Sequence, residues 1–284
     1  MFEKFSRSWQ LIKASADVLR QDKELLVFPA VSAVAGLLVI ASFVLPLFGM
    51  LDLKAIEANS DSIPPWLYAW VFLFYLVQYF VIFYFNTALV GAAMIRLEGG
   101  DPTVADGLRI ARSKIRVILG YAAIAATVGM ILRAIEERAG FIGKWITGLI
   151  GAAWTVVTFL TVPVLVMRDV GPLDAVKESA RLLKSTWGEN IIGQGGVGVV
   201  FGLAQFLVIV LTATIAAVLF SGAHLALAAT AIGIGIVVMM SFALVHAALS
   251  GIYSAALYRH AAGLAPSAGF DGALLTHAFA PKRK

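Results

Sequence analysis

Long charge-free apolar runs constrain this chain more than any other feature. Residues 25–50, 66–95, 115–133, 145–167, 191–221 and 225–258 contain no Asp, Glu or Lys. Each is close to or longer than the ~20 residues that cross a hydrocarbon core. Such runs must satisfy their own backbone polar groups in lipid, which a helix does without a partner. The pattern predicts an all-α integral membrane protein of six transmembrane helices. Only 14% of the 284 residues are charged, against about 25% in soluble domains, so there is little room for a soluble domain.

The remaining charges are sorted by side. Of 22 Lys and Arg, 18 lie before the first run, between the second and third or, as Arg116, at the start of the third, between the fourth and fifth, or after the sixth. Lys54, Arg138 and Lys144 lie in the other connections, and Arg133 ends the third run on that side. Basic loops stay on the cytoplasmic side. Both termini are therefore expected in the cytoplasm, with the chain in a bacterial inner (cytoplasmic) membrane. The net charge of +5 reflects this topology, and nucleic acid is not an expected partner. The chain has no Cys, which removes disulfides and thiolate chemistry. The first apolar run lacks a small-residue cleavage site and is expected to be a retained span.

Some runs exceed what a membrane requires. A helix over 66–95 would be roughly 45 Å long against a ~30 Å core. The longest helices are expected to tilt, project or break, and the glycine-rich fifth is the first candidate to bend or pack closely. Pro163, late in the fourth, is a candidate kink.

Three segments carry apolar residues at helical spacing with basic residues opposite, the pattern of a helix lying in the interface. The first stripe is Phe2, Phe5, Trp9, Ile12, Ala16 and Leu19. The second is Val104, Leu108, Ala111, Ile115 and Ile118. The third is Leu173, Val176, Ala180, Leu183 and Trp187. Asp101–Pro102 and Gly171–Pro172 place a proline at a first helical position, with Asp101 as cap. We read a single polytopic domain, 1–262, made of three pseudo-repeats, 1–98, 99–170 and 171–262. Each is an interfacial amphipathic helix followed by a transmembrane hairpin. A cytoplasmic tail, 263–284, carries a short docking helix. Trp9 and Trp187 are expected to anchor the interface, with the indole ring among headgroups, and Gly188 to end the third surface helix. A docking surface for a partner is the alternative role for these Trp residues.

The stretches "DGLRIARSKIRVILGYAAIAATVGMILRAIEERAG" (106–140), "WTVVTFLTVPVLV" (154–166) and "GPLDAVKESARLLKSTWGE" (171–189) resemble an uncharacterised family of bacterial and archaeal multi-pass membrane proteins, a domain of unknown function. More distantly, the helix-plus-hairpin pattern resembles the membrane domain of some glycerophosphodiester phosphodiesterases, without their catalytic domain. The resemblance implies the fold and carries no activity.

Few residues in the runs can do chemistry. Gln78 and Asn86 lie eight residues apart on roughly one face of the second run. With Thr87 they would line a polar path or pair with Gln194 and Gln205. His246 is the His deep within a run and borders the small-residue stripe Ala243, Ala247, Gly251 and Ala255. An ionisable group there is a functional lead, and a neutral His bonded to a neighbouring helix is the plainer alternative. Arg133, Glu136, Glu137 and Arg138 form a charged outer cluster, read as a solvated helix end or a selectivity ring. "GQGGVG" at 193–198 matches a dinucleotide fingerprint only in letters, because no strand precedes it. No cofactor, metal or catalytic constellation is expected.

The expected function is that of a non-enzymatic membrane component, self-associating or binding lipid or a membrane-protein partner, with a homo-oligomer as one form. A passive channel or transporter is the alternative, and a lipid-related membrane enzyme a weaker one.

Overall fold

The computed structural model describes residues 13–50, 64–138, 140–187, 195–222 and 224–264. Among them there is no strand. A first helix, α1, covers residues 13–21, and a 3-10 turn, Lys23–Leu26, leads into α2, Val27–Met50. Then follow α3 (Pro65–Leu97), α4 (Val104–Ser113), α5 (Ile115–Arg138) and α6 (Gly140–Val157). The chain continues through α7 (Thr161–Met167), α8 (Pro172–Trp187), α9 (Gly195–Ser221) and α10 (Leu225–Ala261). Six helical segments are long and apolar enough to cross a membrane: Lys23–Gly49, Trp66–Leu97, Ile115–Glu137, Gly143–Met167, Phe201–Ser221 and Leu225–Ala261.

Helix α3 is the hub and packs against α2, α4, α5, α7 and α10. Its last third is rich in small residues, and Ala88, Val90, Ala92 and Ala93 are fully buried. Small side chains let neighbouring backbones approach closely, which is how membrane helices gain packing energy without a hydrophobic drive. The core is therefore concentrated toward the end of the bundle that carries α4 and α8. At the other end, Leu37, Leu45, Leu207, Leu211, Ile234 and Val237 are exposed, as a lipid-facing surface should be. Helix α9 packs mainly on α10, with Thr212 pressed against Gly235.

Three expectations are revised, on the fourth span, the cap of α4 and the stripes of the surface helices, and one left open, the continuity of the long spans, is resolved. The fourth span is broken rather than merely kinked: α6 ends at Val157 and α7 begins at Thr161. Pro163 has no N–H to offer Phe159, and sits instead in the first turn of α7, where that loss is tolerated. The fifth and sixth spans are uninterrupted helices from Gly195 and Leu225, so α10, with 37 residues, reaches roughly 55 Å at 1.5 Å per residue. It exceeds a ~30 Å hydrocarbon core and does not break.

The cap of α4 is Thr103, not Asp101. Its Oγ1 accepts from the Asp106 N–H at 3.2 Å, and the Asp106 carboxylate accepts from the Thr103 N–H at 3.0 Å, a reciprocal capping box. Asp101 instead holds Arg96.

Finally, Ile115 and Ile118 belong to α5, because the surface helix ends at Ser113. In α8 the buried residues are Ala175, Ser179, Leu182 and Leu183, whereas Leu173 is exposed. Both surface helices turn small residues toward the bundle, joined in α8 by Leu182 and Leu183, while Leu173 stays at the rim. In α4 the equivalents are Gly107 and Ala111. Only Gly fits at 107: a Cβ there would lie 2.6 Å from the Ala88 carbonyl oxygen and 2.5 Å from Phe28 Cζ.

Candidate functional site

A cavity of about 340 Å³ lies among α2, α3, α5, α6–α7 and α10. Its polar lining comes from Ser32, Asn86, Tyr121, Thr155, Thr158, Ser250 and Ser254. Apolar walls come from Ile82, Phe83, Phe85, Phe159 and Val162. No charged residue lines it. It extends from Ile82, at the middle of α3, toward the end of the bundle bearing α4 and α8. Ile82 and Thr155 line the cavity and are also exposed, so the mouth opens sideways, toward lipid.

The hydrogen-bonding capacity of this lining is uneven. Thr155 donates to the Gly151 carbonyl at 2.9 Å, Thr158 to Trp154 at 2.8 Å and Ser254 to Gly251 at 2.8 Å. These hydroxyls have spent their proton and offer only lone pairs. Asn86, Ser32 and Ser250 make no hydrogen bond among the described residues and keep donors and acceptors. Tyr121 stacks on Phe83, with centroids 4.3 Å apart, and its hydroxyl lies beside Thr158 and Thr161. Thr161 Oγ1, fully buried, closes no hydrogen bond.

The broken fourth span shapes one wall. Breaking the helix leaves the Val157 carbonyl and the Leu160 N–H without helical partners. Ser179 of α8 supplies both, donating to the Val157 carbonyl at 2.6 Å and accepting from the Leu160 N–H at 3.1 Å. One hydroxyl of a surface helix thus fixes the segment bearing Thr158 and Phe159.

A layer of ion pairs ties the span ends at the same side. Arg96 at the end of α3 donates to Asp22 at 2.7 Å and to Asp101 at 2.6 Å. Arg259 at the end of α10, 5% exposed, reaches Glu98 at 2.5 Å. Arg168 pairs with Glu178 at 2.8 Å. The Tyr258 hydroxyl, and then Glu178, hold the Arg168 guanidinium above its ordinary pKa. In sequence these Arg residues registered only as topology signals.

Of the residues singled out in sequence, Asn86 enters the cavity and Gln78 and His246 do not. The Gln78 amide packs against α2 at Gly36, where a Cβ would lie 2.9 Å from Nε2. Gln78 Oε1 is buried without a partner. His246 stacks on Phe201 of α9, with centroids 4.8 Å apart, while its neighbour Ala247 lines the cavity. Thr87 is buried and bonds its own helix at Phe83, 2.7 Å away. Gly251 faces Leu89 of α3. Arg133 donates to Glu137 at 3.0 Å and to the Tyr75 hydroxyl at 2.9 Å. Arg133 and Glu137, with Glu136, Lys144 and Thr147, line a separate cleft of about 840 Å³ at the opposite end of the bundle. The backbone of Arg138 closes α5. Trp187 is the last residue of α8, and its side chain lies outside the described residues. So do Trp9, Gly188, Gln194 and the tail helix.

A family of unknown function, DUF6159, matches over residues 66–269. The chain belongs to DUF6159. The match covers α3 through α10 of the DUF6159 chain and so takes in most of the cavity wall. The comparison with curated proteins found no match.

Proposed function

We propose that this DUF6159 protein is a non-enzymatic component of the bacterial inner membrane that binds a lipid in its lateral cavity. The observation that carries this is the cavity itself: uncharged, mainly apolar with a smaller polar part, and open sideways among the membrane-spanning helices. Ligand sites in proteins are typically mostly apolar clefts of a few hundred Å³ with a few placed polar groups. The lining has no carboxylate, imidazole or amine, and its hydroxyls and one carboxamide are suited to hydrogen bonding. The distant likeness to phosphodiesterase membrane domains is not needed for this proposal.

The charge bias supports both termini in the cytoplasm, which would put the cavity in the cytoplasmic leaflet. Burial of the fourth and eighth residues in both α4 and α8 supports the repeat of surface helix plus hairpin. Self-association or partner binding would use the apolar rims of α9 and α10. For the channel alternative, the Gln78–Gly36 contact closes the α2–α3 seam on the far side of the cavity.

Native mass spectrometry of protein extracted gently from membranes tests the proposal. A stoichiometric bound lipid is expected. A lipid-free oligomer that conducts solute in liposomes would replace it with the channel.

A further inference from the structure

We infer that the cavity selects an uncharged amphiphile of the mono- or diacylglycerol class, held by its hydroxyl-bearing head. This rests on the lipid-binding proposal above and names the ligand class for the same site. Three observations lead there. The first is charge. The lining is neutral throughout, and an ion placed among apolar and hydroxyl groups inside a membrane has no countercharge to offset its desolvation. Phosphate headgroups are therefore disfavoured in the cavity, although they suit the basic surface outside it.

The second is the order of the lining along the membrane normal. Ile82 lies near the middle of α3, and the exposed Thr155 shares the mouth. Asn86, one turn further along α3, and Ser254, seven residues beyond Ala247 on α10, lie toward the α4 and α8 end. Polar groups nearer the interface, and a mouth near mid-membrane formed by Ile82 and by Thr155, whose hydroxyl proton is already given to its own helix, match a leaflet lipid in its ordinary orientation, head outward and tail inward.

The third is hydrogen-bond chemistry. Thr155, Thr158 and Ser254 have donated to their own helices and present acceptors. The carboxamide of Asn86, held by no other described residue, offers two donors and an acceptor. A ligand head that both donates and accepts, as free hydroxyls beside ester carbonyls do, can satisfy this set. A hydrocarbon chain alone would leave Asn86 unpaired.

The test uses the full chain in nanodiscs with two photo-activatable lipids, a diacylglycerol and a phosphatidylglycerol, each read by peptide mapping. The diacylglycerol is expected to label segments 82–89 and 155–162, and the phosphatidylglycerol only the surface helices. Asn86→Leu is expected to weaken diacylglycerol labelling about tenfold, the loss of roughly one well-placed hydrogen bond and its desolvated partner. The smaller change Ser250→Ala should weaken it about threefold. Should Asn86→Leu fail to fold, the Ser250 variant decides. Equal labelling of the cavity by the anionic lipid, or labelling indifferent to both substitutions, would overturn the ligand class while leaving lipid binding standing. Cavity segments that neither lipid labels would overturn the class and the lipid-binding proposal together.

Discussion

The Ser179 hydroxyl donates to the Val157 carbonyl across 2.6 Å, so a residue of a surface helix completes the hydrogen bonding of a broken span. Because the same oxygen accepts the Leu160 N–H at 3.1 Å, removing it orphans two backbone groups where water is scarce. Ser179→Ala is expected to destabilise the protein by about 2 kcal/mol. The check is thermal unfolding in detergent, followed by Trp fluorescence. Ser179→Thr should retain part of the stability only if the extra methyl is accommodated, since Ser179 is fully buried. A melting temperature unmoved by Ser179→Ala would show that the break is held by other contacts.

Gly107 gives a steric prediction. A Cβ at that position would collide with the Ala88 carbonyl oxygen, which is backbone and cannot step aside. Gly107→Ala is expected to cost about 1–3 kcal/mol despite its better helix propensity. Gly148, which has open space around its missing Cβ, is the control. Gly148→Ala should be neutral or slightly stabilising in the same unfolding measurement.

The ion pairs should separate by burial. Asp22 is nearly buried beside Arg96, with side chains 7% and 20% exposed. Arg96→Ala leaves that carboxylate uncompensated and is expected to cost about 3 kcal/mol. Arg109, paired with Asp106 at the surface, should cost less than about 0.5 kcal/mol on substitution by Ala. A double-mutant cycle over Asp22 and Arg96 measures the first directly, and a coupling no larger than that of Asp106 and Arg109 would contradict the burial argument.

The cap of α4 predicts an acid sensitivity. The Thr103 hydroxyl, and then the Thr103 N–H, hold the Asp106 carboxyl below its ordinary pKa. A carboxylate lowered on folding stabilises the folded state above the ordinary aspartate range and loses that contribution as pH falls through its folded pKa. Helix α4 should therefore loosen first on acidification. Hydrogen exchange of the α4 amides against pH reads this, and Asp106→Asn should remove that pH dependence. Identical acid profiles for the two proteins would sink the assignment.

Asn86 was legible in the sequence because a carboxamide is rare in an apolar run. The rest of the cavity was not. Ser and Thr are common in membrane helices, where each can bond its own preceding turn, as Thr158 does to Trp154. Nothing local marks Ser32, Ser250 or Ser254 as facing the same space. His246 drew attention for its chemistry, yet one residue of helical rotation, about 100°, sends Ala247 into the cavity and His246 onto Phe201.

The amino-acid sequence alone determined the solvent and the secondary structure. Its long apolar runs are suited to lipid, where backbone groups are satisfied in helices or closed barrels, and runs of 19 residues or more without apolar–polar alternation are helices. The position of each run followed from composition, since the transfer of apolar residues depends on the residues themselves and not on their neighbours in space. The tertiary structure decided which faces meet. Interhelical packing in a membrane depends on close approach of small side chains, so a single Gly107 on Ala88 or Gly251 on Leu89 sets the rotation of a whole helix. Those rotations, together with one hydroxyl from α8 bridging the gap before Pro163, bring Asn86 and six scattered hydroxyls around one space.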